Sequence, residues 1–441
     1  MAAQFDSNPA ETYMPANQVL MYTISDSGGA VSASHRFVVW VYEYDNTTAV
    51  EIAKLYLTAN SNNKAFFDLS QIVKERLEVD ANINTGASSI FDMAADVDYS
   101  TNATRRFRVR VGTYNGTTET TAEASKYIYL VDGTQQISEG LHPSFAAYYP
   151  TASSKKSWLT ERWNDKKVVS NNDAIDYYFA DDDEGVVAWI HDDTVISGTD
   201  ARIYYQLYGP AGTLGSEDYH VISSSGGEAL NSTNYNRKVH YTGLAPFSLR
   251  FTATNLPRHA NNAAWTTYIM WLASADGSAR LSSYLRVHKD CGVYKNERVQ
   301  IAYSNRLGGW DYLNFDGNAD KQESVESKPY YKQLGDWDAS TFTFATTARN
   351  KKPYQVTAKQ TYTLKSAAFK KEEYYQLEGL LRSNNVFMRY GNSSSDTSYL
   401  IDRDKWLPVT VNTKSLQIRD KVQSKISEVT LKVELAQDIR C

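Results

Sequence analysis

The chain carries only two cysteines in 441 residues, Cys291 and Cys441. A small secreted scaffold built on disulfides has many more, so synthesis in a reducing cytoplasm with both thiols free is expected. No apolar run approaches the roughly 20 residues that cross a bilayer as a helix. The start, Met1-Ala-Ala-Gln-Phe-Asp-Ser-Asn-Pro9, lacks the basic and apolar regions of a signal peptide. Positive charge is also scarce: 46 Lys and Arg stand against 51 Asp and Glu, a net of −5. The chain as a whole therefore offers no basic field for nucleic acid or membrane. Catalytic signatures are missing too, with no G-x-S-x-G elbow, Walker loop, H-E-x-x-H or C-x-x-C. The histidines, at 35, 142, 191, 220, 240, 259 and 288, form no pair at metal-ligand spacing. The expectation is a non-enzymatic protein with no catalytic residues, no cofactor and no metal.

What the chain has is tyrosine, 32 against 15 phenylalanines. Tyrosine packs an apolar ring and leaves its hydroxyl at a wet edge, which suits strands and interfaces. Charge is unevenly spread. Residues 291–441 hold 23 Lys and Arg against 18 Asp and Glu, net +5, which leaves −10 for residues 1–290. Opposite signs at the two ends could orient copies head to tail, and a solvated surface is the plainer alternative.

The length suggests several domains at about 100–200 residues each. Residues 1–17 are polar, contain Pro9 and Pro15, and are expected to form an extended arm. Residues 18–141 read as a β-sandwich. Phe37–Tyr44, Ile52–Leu57, Arg106–Val111 and Tyr127–Val131 have strand character, and a short helix near Phe67–Leu77 is capped by Asp68 or Ser70. Residues 142–290 read as a second sandwich of immunoglobulin or fibronectin type, with strands at Ala174–Phe179, Gly185–Ile190, Ala201–Tyr208, Phe247–Phe251, Tyr268–Leu272 and Tyr284–Val287. Residues 291–441 read as a β-domain flanked by one helix, Phe369–Arg382, with Ser366 as its cap. Strands there are expected around Val299–Tyr303, Tyr312–Phe315, Val409, Val411, Ile418, Val422 and Val429–Leu435. A boundary is expected at Asp290-Cys-Gly292, where the charge changes sign.

Within that last region the run Ile301-Ala-Tyr-Ser-Asn-Arg-Leu-Gly-Gly-Trp-Asp-Tyr-Leu-Asn-Phe315 predicts a hairpin turning at Arg306–Gly309, with the glycines supplying positive φ. Together with the helix, the segment Trp406-Leu-Pro-Val-Thr-Val411 and the closing strand, it resembles the C-terminal domain of tail-associated structural proteins of tailed bacteriophages. The marine and Bacteroidetes-infecting phages are the nearest in kind, and there an Asn-Arg-Leu-Gly-Gly-(aromatic)-Asp hairpin recurs. The sandwich with its Phe-Asp-Leu-Ser helix resembles the N-terminal domain of the same proteins. The resemblance implies a virion component assembled in the host cytoplasm, a homo-oligomeric ring of tail-hub or baseplate, distal-tail type. Its partners would be copies of itself, other tail or neck proteins and a host surface glycan. A collar, neck or capsid-associated position is the alternative within that class, and a carbohydrate-binding adhesin or glycan-degrading module the alternative outside it. Candidate structural and assembly residues are Arg306, Gly308, Gly309, Trp310, Asp311, Trp406 and Pro408.

Three other groups invite a chemical reading. Asp181–Glu184 and Asp192–Asp193 flank Val186–Ile190, and at about 3.3 Å per residue the clusters would lie roughly 25–30 Å apart, too far for a glycosidase pair. A solvated acidic turn is expected at the first, with calcium the alternative. Asp316-Gly-Asn-Ala-Asp320 opens like a calcium loop but continues with Lys321 and reaches Ser327 where a bidentate Glu belongs. Trp310, Trp337 and Trp406 suit either a sugar-stacking platform or a core.

Overall fold

The computed structural model describes residues 3–9, 13–26, 36–44, 48–77, 91, 97–100, 102–120, 124–135, 141–142, 157–162, 174–181, 183–190, 201–222, 239–249, 264–274, 276–290, 298–317, 319–335, 338, 340–370, 374–390, 405–413, 426–436 and 439–440. The fold is mainly β, with two α-helices among these residues. It divides into two compact units. The first is Met1–Gly292 with Ala302–Tyr312 and Tyr375–Ser383; the second is Val293–Ile301, Leu313–Tyr374 and Asn384–Cys441.

The first unit begins with β1 (Ala3–Ser7), β2 (Tyr13–Asn17), β3 (Met21–Asp26), β4 (Arg36–Tyr44), β5 (Ala49–Thr58), β6 (Lys64–Asp68), α1 (Ser70–Lys74), β7 (Val97–Tyr99), β8 (Thr104–Tyr114) and β9 (Ala124–Thr134). A three-stranded sheet β1-β3-β6 and a five-stranded sheet β2-β9-β8-β4-β5 supply one apolar core. The two-residue period of a strand decides which side chains enter it. On β8, Phe107, Val109 and Val111 are fully buried in that core, so Arg106, Arg108 and Arg110 lie on the opposite face. Asp68 Oδ1 accepts the N–H groups of Leu20 and Ser70, each at 2.9 Å, and so fixes the start of the one-turn helix. Val73 and Leu77 then drop into the core.

Residues 1–17 are expected as an arm, but their described strands, Ala3–Ser7 and Tyr13–Asn17, form part of this sandwich instead. β1 pairs antiparallel with β3 and β2 parallel with β9, burying Ala3, Tyr13, Met14 and Ala16. Pro15 is no obstacle because β2 is an edge strand, where a missing N–H leaves no ladder bond unmade.

The second sandwich consists of β10 (Ala174–Phe179), β11 (Val186–Ile190), β12 (Ala201–Gly209), β13 (Gly212–Ile222), β14 (Val239–Gly243), β15 (Thr267–Ser274) and β16 (Tyr284–Lys289). Its five-stranded sheet runs β10-β16-β15-β12-β13, and its three-stranded sheet runs β11-β14-β7, borrowing β7 from the preceding stretch of chain. Every residue of β11 and β14 is buried, which is why their sequences lack alternation. Phe247–Phe251 is not the strand expected. Pro246 fixes φ and opens a 3-10 turn, Pro246–Ser248, while Arg250 and Phe251 lie outside the described residues.

The remaining elements are β17 (Val299–Ser304), β18 (Trp310–Phe315), β19 (Ala319–Tyr331), β20 (Lys351–Lys370), α2 (Tyr374–Arg382), β21 (Val386–Tyr390), β22 (Leu407–Val411), β23 (Ile426–Leu435) and β24 (Ile439–Arg440). The sheet order is β17-β21-β22-β23-β20-β19, with β24 against β20 and β18 against β17. The helix starts later than expected. β20 continues to Lys370 because it pairs with β23 as far as Phe369↔Ser427 and Lys370↔Ile426, so Ser366 is a buried strand residue and not a cap. Pairing across the sheet overrides the local helical pattern. Ile418, Val422, Trp337 and both cysteines lie outside the described residues.

Candidate functional site

Five of the seven candidate residues cluster here, Arg306, Gly308 and Gly309 on the turn between β17 and β18 and Trp310 and Asp311 at the start of β18, and all five belong to the first unit. The turn closes on itself through Asn305. Its N–H donates to Gly309 O at 2.8 Å, and its Oδ1 accepts the N–H groups of Leu307 and Gly309 at 3.0 Å. Gly308 supplies the positive φ, 84°. Gly309 is needed for a different reason: a Cβ there would stand 2.0 Å from Leu159 O. The turn also meets β9, where Thr134 N–H donates to Arg306 O at 2.7 Å.

Around Asp311 the polar groups converge. Its Oδ1 accepts the Thr160 hydroxyl, and its Oδ2 accepts Glu161 N–H at 2.7 Å and Asn305 Nδ2 at 3.0 Å. Asn305 Nδ2 also donates to Leu159 O at 2.8 Å. The Tyr177 hydroxyl donates to Thr160 Oγ1 at 3.0 Å, and Arg162 donates to Tyr312 O at 2.5 Å while its guanidinium lies 4.5 Å from the Tyr177 ring centroid. Tyr312 OH in turn bridges both backbone groups of Val186, accepting its N–H at 2.7 Å and donating to its O at 3.0 Å. Trp310 is fully buried and meets Phe91 edge to face, 5.2 Å between centroids.

Desolvation dominates the electrostatics. Burial raises the Asp311 carboxyl above its ordinary range, against the hydrogen bonds that favour its charged form. Glu161 is pushed up to about 8, first by burial and then by Asp311, with Arg306 and Arg382 opposing. At neutral pH Glu161 thus keeps its proton, with Arg306 Nε 3.4 Å from its Oε1. On α2, Gly379 faces Glu161, and a Cβ there would stand 2.1 Å from Oε2 and displace the carboxyl. The arrangement is a buried polar clasp. It fixes Ser157–Arg162 to the turn at 305–312, and both carboxyl oxygens of Asp311 accept from donors within the protein.

The other sequence candidates are placed separately. Trp406 is 8% exposed, and Pro408, opposite Phe387 in β22, is half-buried; both belong to the second unit. Asp183 and Glu184 are buried, so the expected solvated acidic turn is corrected there: Asp183 Oδ2 accepts Ala180 N–H at 2.8 Å and closes the turn before β11. Asp181 pairs with Lys289 at 2.7 Å, and Asp192 and Asp193 lie outside the described residues. Gly317, in the calcium-like loop, donates its N–H to Lys365 O at 2.9 Å. No cluster of three metal-binding side chains occurs among the described residues, and no helix there is long and apolar enough to cross a membrane.

Sequence reasoning missed Thr160, Glu161, Arg162 and Tyr177, which stand 134–151 positions before Asp311 and share no pattern with it. It also missed an outlying element. β19 and β20 form a long two-stranded ribbon in which every residue from Asp320 to Tyr331 is exposed. Among the described residues Lys351–Val356 of β20 pair with β19 alone, and from Thr357 onward β24 and β23 join the opposite edge of β20 while β19 continues beside it. Near the ribbon's end Tyr331 is 70% exposed, Tyr354 64%, Phe344 59% and Phe342 55%.

No family model matches the chain, and no curated protein does. Among solved structures the chain is similar to trypsin-activated alpha-2-macroglobulin from Escherichia coli, with TM-score 0.20 and 8% identity over 97% of this chain and 23% of that one. It is also similar to the plexin A4 extracellular region, TM-score 0.18 and 8% identity over 66% and 24%. The chain thus spans about a quarter of those structures' length, and likeness at these scores says nothing of what it does.

Proposed function

We propose that this chain is a non-enzymatic structural component of a phage virion, of tail-hub or baseplate type, working as a ring of identical copies. A collar, neck or capsid-associated position is the alternative within the same class. The β19–β20 ribbon is the observation that carries the reading. A two-stranded hairpin with both faces wet is marginal by itself, and a long exposed edge strand invites pairing with another chain. At about 3.4 Å per residue the 13 residues of β19 span about 44 Å. Where no other strand flanks it, at Lys351–Val356, the ribbon is about 20 Å long and about 10 Å wide, so its two faces offer roughly 400 Å², half of the ~800 Å² per partner of a standard interface, and the exposed length of β19 extends that surface. Charge suits a second copy as the partner. β20 carries Lys351, Lys352, Lys359, Lys365 and Lys370 with no Asp or Glu, whereas residues 1–290 have a net charge of −10. The buried clasp fits a building block, since its polar groups hold chain segments together.

Light scattering on the purified full chain tests this. We expect oligomers at tens of micromolar, and a Tyr330→Ser/Tyr331→Ser/Tyr354→Ser variant that is monomeric with an unchanged melting temperature. All three side chains are exposed, so their loss leaves the core intact. Wild-type protein that stays monomeric would overturn the assembly reading, and a variant that still assembles would remove the ribbon from it.

A further inference from the structure

The outward face of the five-stranded sheet β2-β9-β8-β4-β5 carries a row of arginines set among aromatic rings. Arg106, Arg108 and Arg110 alternate with the core residues of β8, so their Cα atoms repeat about every 6.8 Å along one face. Cross-strand register places Tyr44 and Tyr129 beside Arg106, Tyr42 and Tyr127 beside Arg108, and Trp40 beside Arg110. The Arg106 guanidinium lies 4.1 Å from the Tyr127 ring centroid, 4.7 Å from Tyr44 and 5.2 Å from Tyr129. Arg108 lies 5.5 Å from Tyr127, and Arg110 lies 5.9 Å from Tyr42.

None of the three arginines has a carboxylate partner among the described residues. The nearby carboxylate Glu119 is taken by Lys54, at 2.7 Å, and by Tyr56. Glu51 stands opposite Tyr42 on β5 and is exposed. The Nε atoms of Arg106 and Arg108 are enclosed without an acceptor, while both side chains remain half-exposed. A guanidinium held on aromatic rings is pre-organised. It has lost little freedom still to be lost on binding, and its planar fork matches a carboxylate in bidentate fashion.

We propose that this face binds an acidic polysaccharide, with Arg106, Arg108 and Arg110 receiving its carboxylate groups. The hydroxyls of the half-buried Tyr42, Tyr44 and Tyr127 can hydrogen-bond the sugar hydroxyls between them. One feature favours a carboxylated glycan over single-stranded nucleic acid: base stacking needs free ring faces, and here guanidinium groups lie over Tyr42, Tyr44 and Tyr127.

Affinity electrophoresis of the full chain through gels containing polygalacturonate tests the proposal, with neutral dextran gels and a single-stranded oligonucleotide as the other arms. Retardation by polygalacturonate and none by dextran is expected. Arg106→Gln and, separately, Arg108→Gln should each weaken it about tenfold, the loss of one charge-assisted hydrogen bond of about 1.4 kcal/mol. Because Arg106 packs among three rings, Arg106→Lys is the control: it keeps the charge, loses the fork, and should bind more weakly than wild type with a similar melting temperature. Absence of retardation by polygalacturonate, or retardation equal in all variants, would overturn the proposal. Tighter binding of the oligonucleotide, lost in the same variants, would assign the face to nucleic acid and overturn it as well. This binding needs no assembled particle, so its failure would leave the ribbon proposal standing.

Discussion

Glu161 shows how a single residue can tie stability to pH. Its side chain is enclosed by Gly379, Asp311 and Arg306, and Oε2 has no hydrogen-bond partner among the described residues. In the unfolded chain a glutamate releases its proton near pH 4.5, whereas in the folded protein Glu161 holds it to about pH 8. Between those values the folded state binds the extra proton, so this residue's contribution to stability falls as pH rises and levels off above about 8. Glu161→Gln, which has the shape of the protonated acid, should remove that slope. Urea midpoints at pH 5, 7 and 9 are expected to move in the variant's favour relative to wild type with each step. A difference independent of pH would show that Glu161 is already ionised in the folded protein.

At the scale of elements, the strands with a clean period of two or a continuous apolar run were the legible ones. β8 announces itself through Arg-Phe-Arg-Val-Arg-Val, and β10 and β15 through their apolar runs. Polar strands were not legible: β13 and β19 look like loops in sequence, and only pairing with β12 and β20 makes them strands. The arm was misread for a related reason, because Pro9 and Pro15 mark breaks only where an N–H is needed. Its correction has a consequence. Deleting residues 1–17 would strip β1 from β3 and β2 from β9 and uncover Ile24 and Leu130, both fully buried. Each lost large core side chain, such as Met14, costs on the order of 1.5–3 kcal/mol. We therefore expect the deleted protein to melt well below the full chain, or to aggregate, when followed by circular dichroism. A genuine arm could be removed with no change in melting. Of the candidate site, the turn at Arg306–Gly309 was legible from its glycines, but neither the closing role of Asn305 nor the segment 157–162 that completes the site was, since nothing local to that segment records a contact 150 residues away.

On the scale of the whole chain, the expected junction at Asp290–Gly292 is where the first unit's long N-terminal piece ends, yet the chain returns to that unit twice, at 302–312 and 375–383. A cut near residue 291 therefore should not separate two independent folds. After limited proteolysis there, we expect the N- and C-terminal pieces to co-elute on size exclusion in native buffer and to part only in denaturant; separate elution of two folded pieces would contradict these unit bounds. The same returns set a timetable for synthesis. At about 5–20 residues per second, a chain that has just made Thr160 waits roughly 8–30 s before Asp311 exists to meet it, and longer before Gly379 makes room for Glu161. During that interval Leu159 and Thr160 have no turn to hold, and the first unit cannot reach its final form while most of its own sequence is already made. A translation product broken off before residue 383 is thus left with an incomplete N-terminal half. Folding itself keeps track of how much of the message was read.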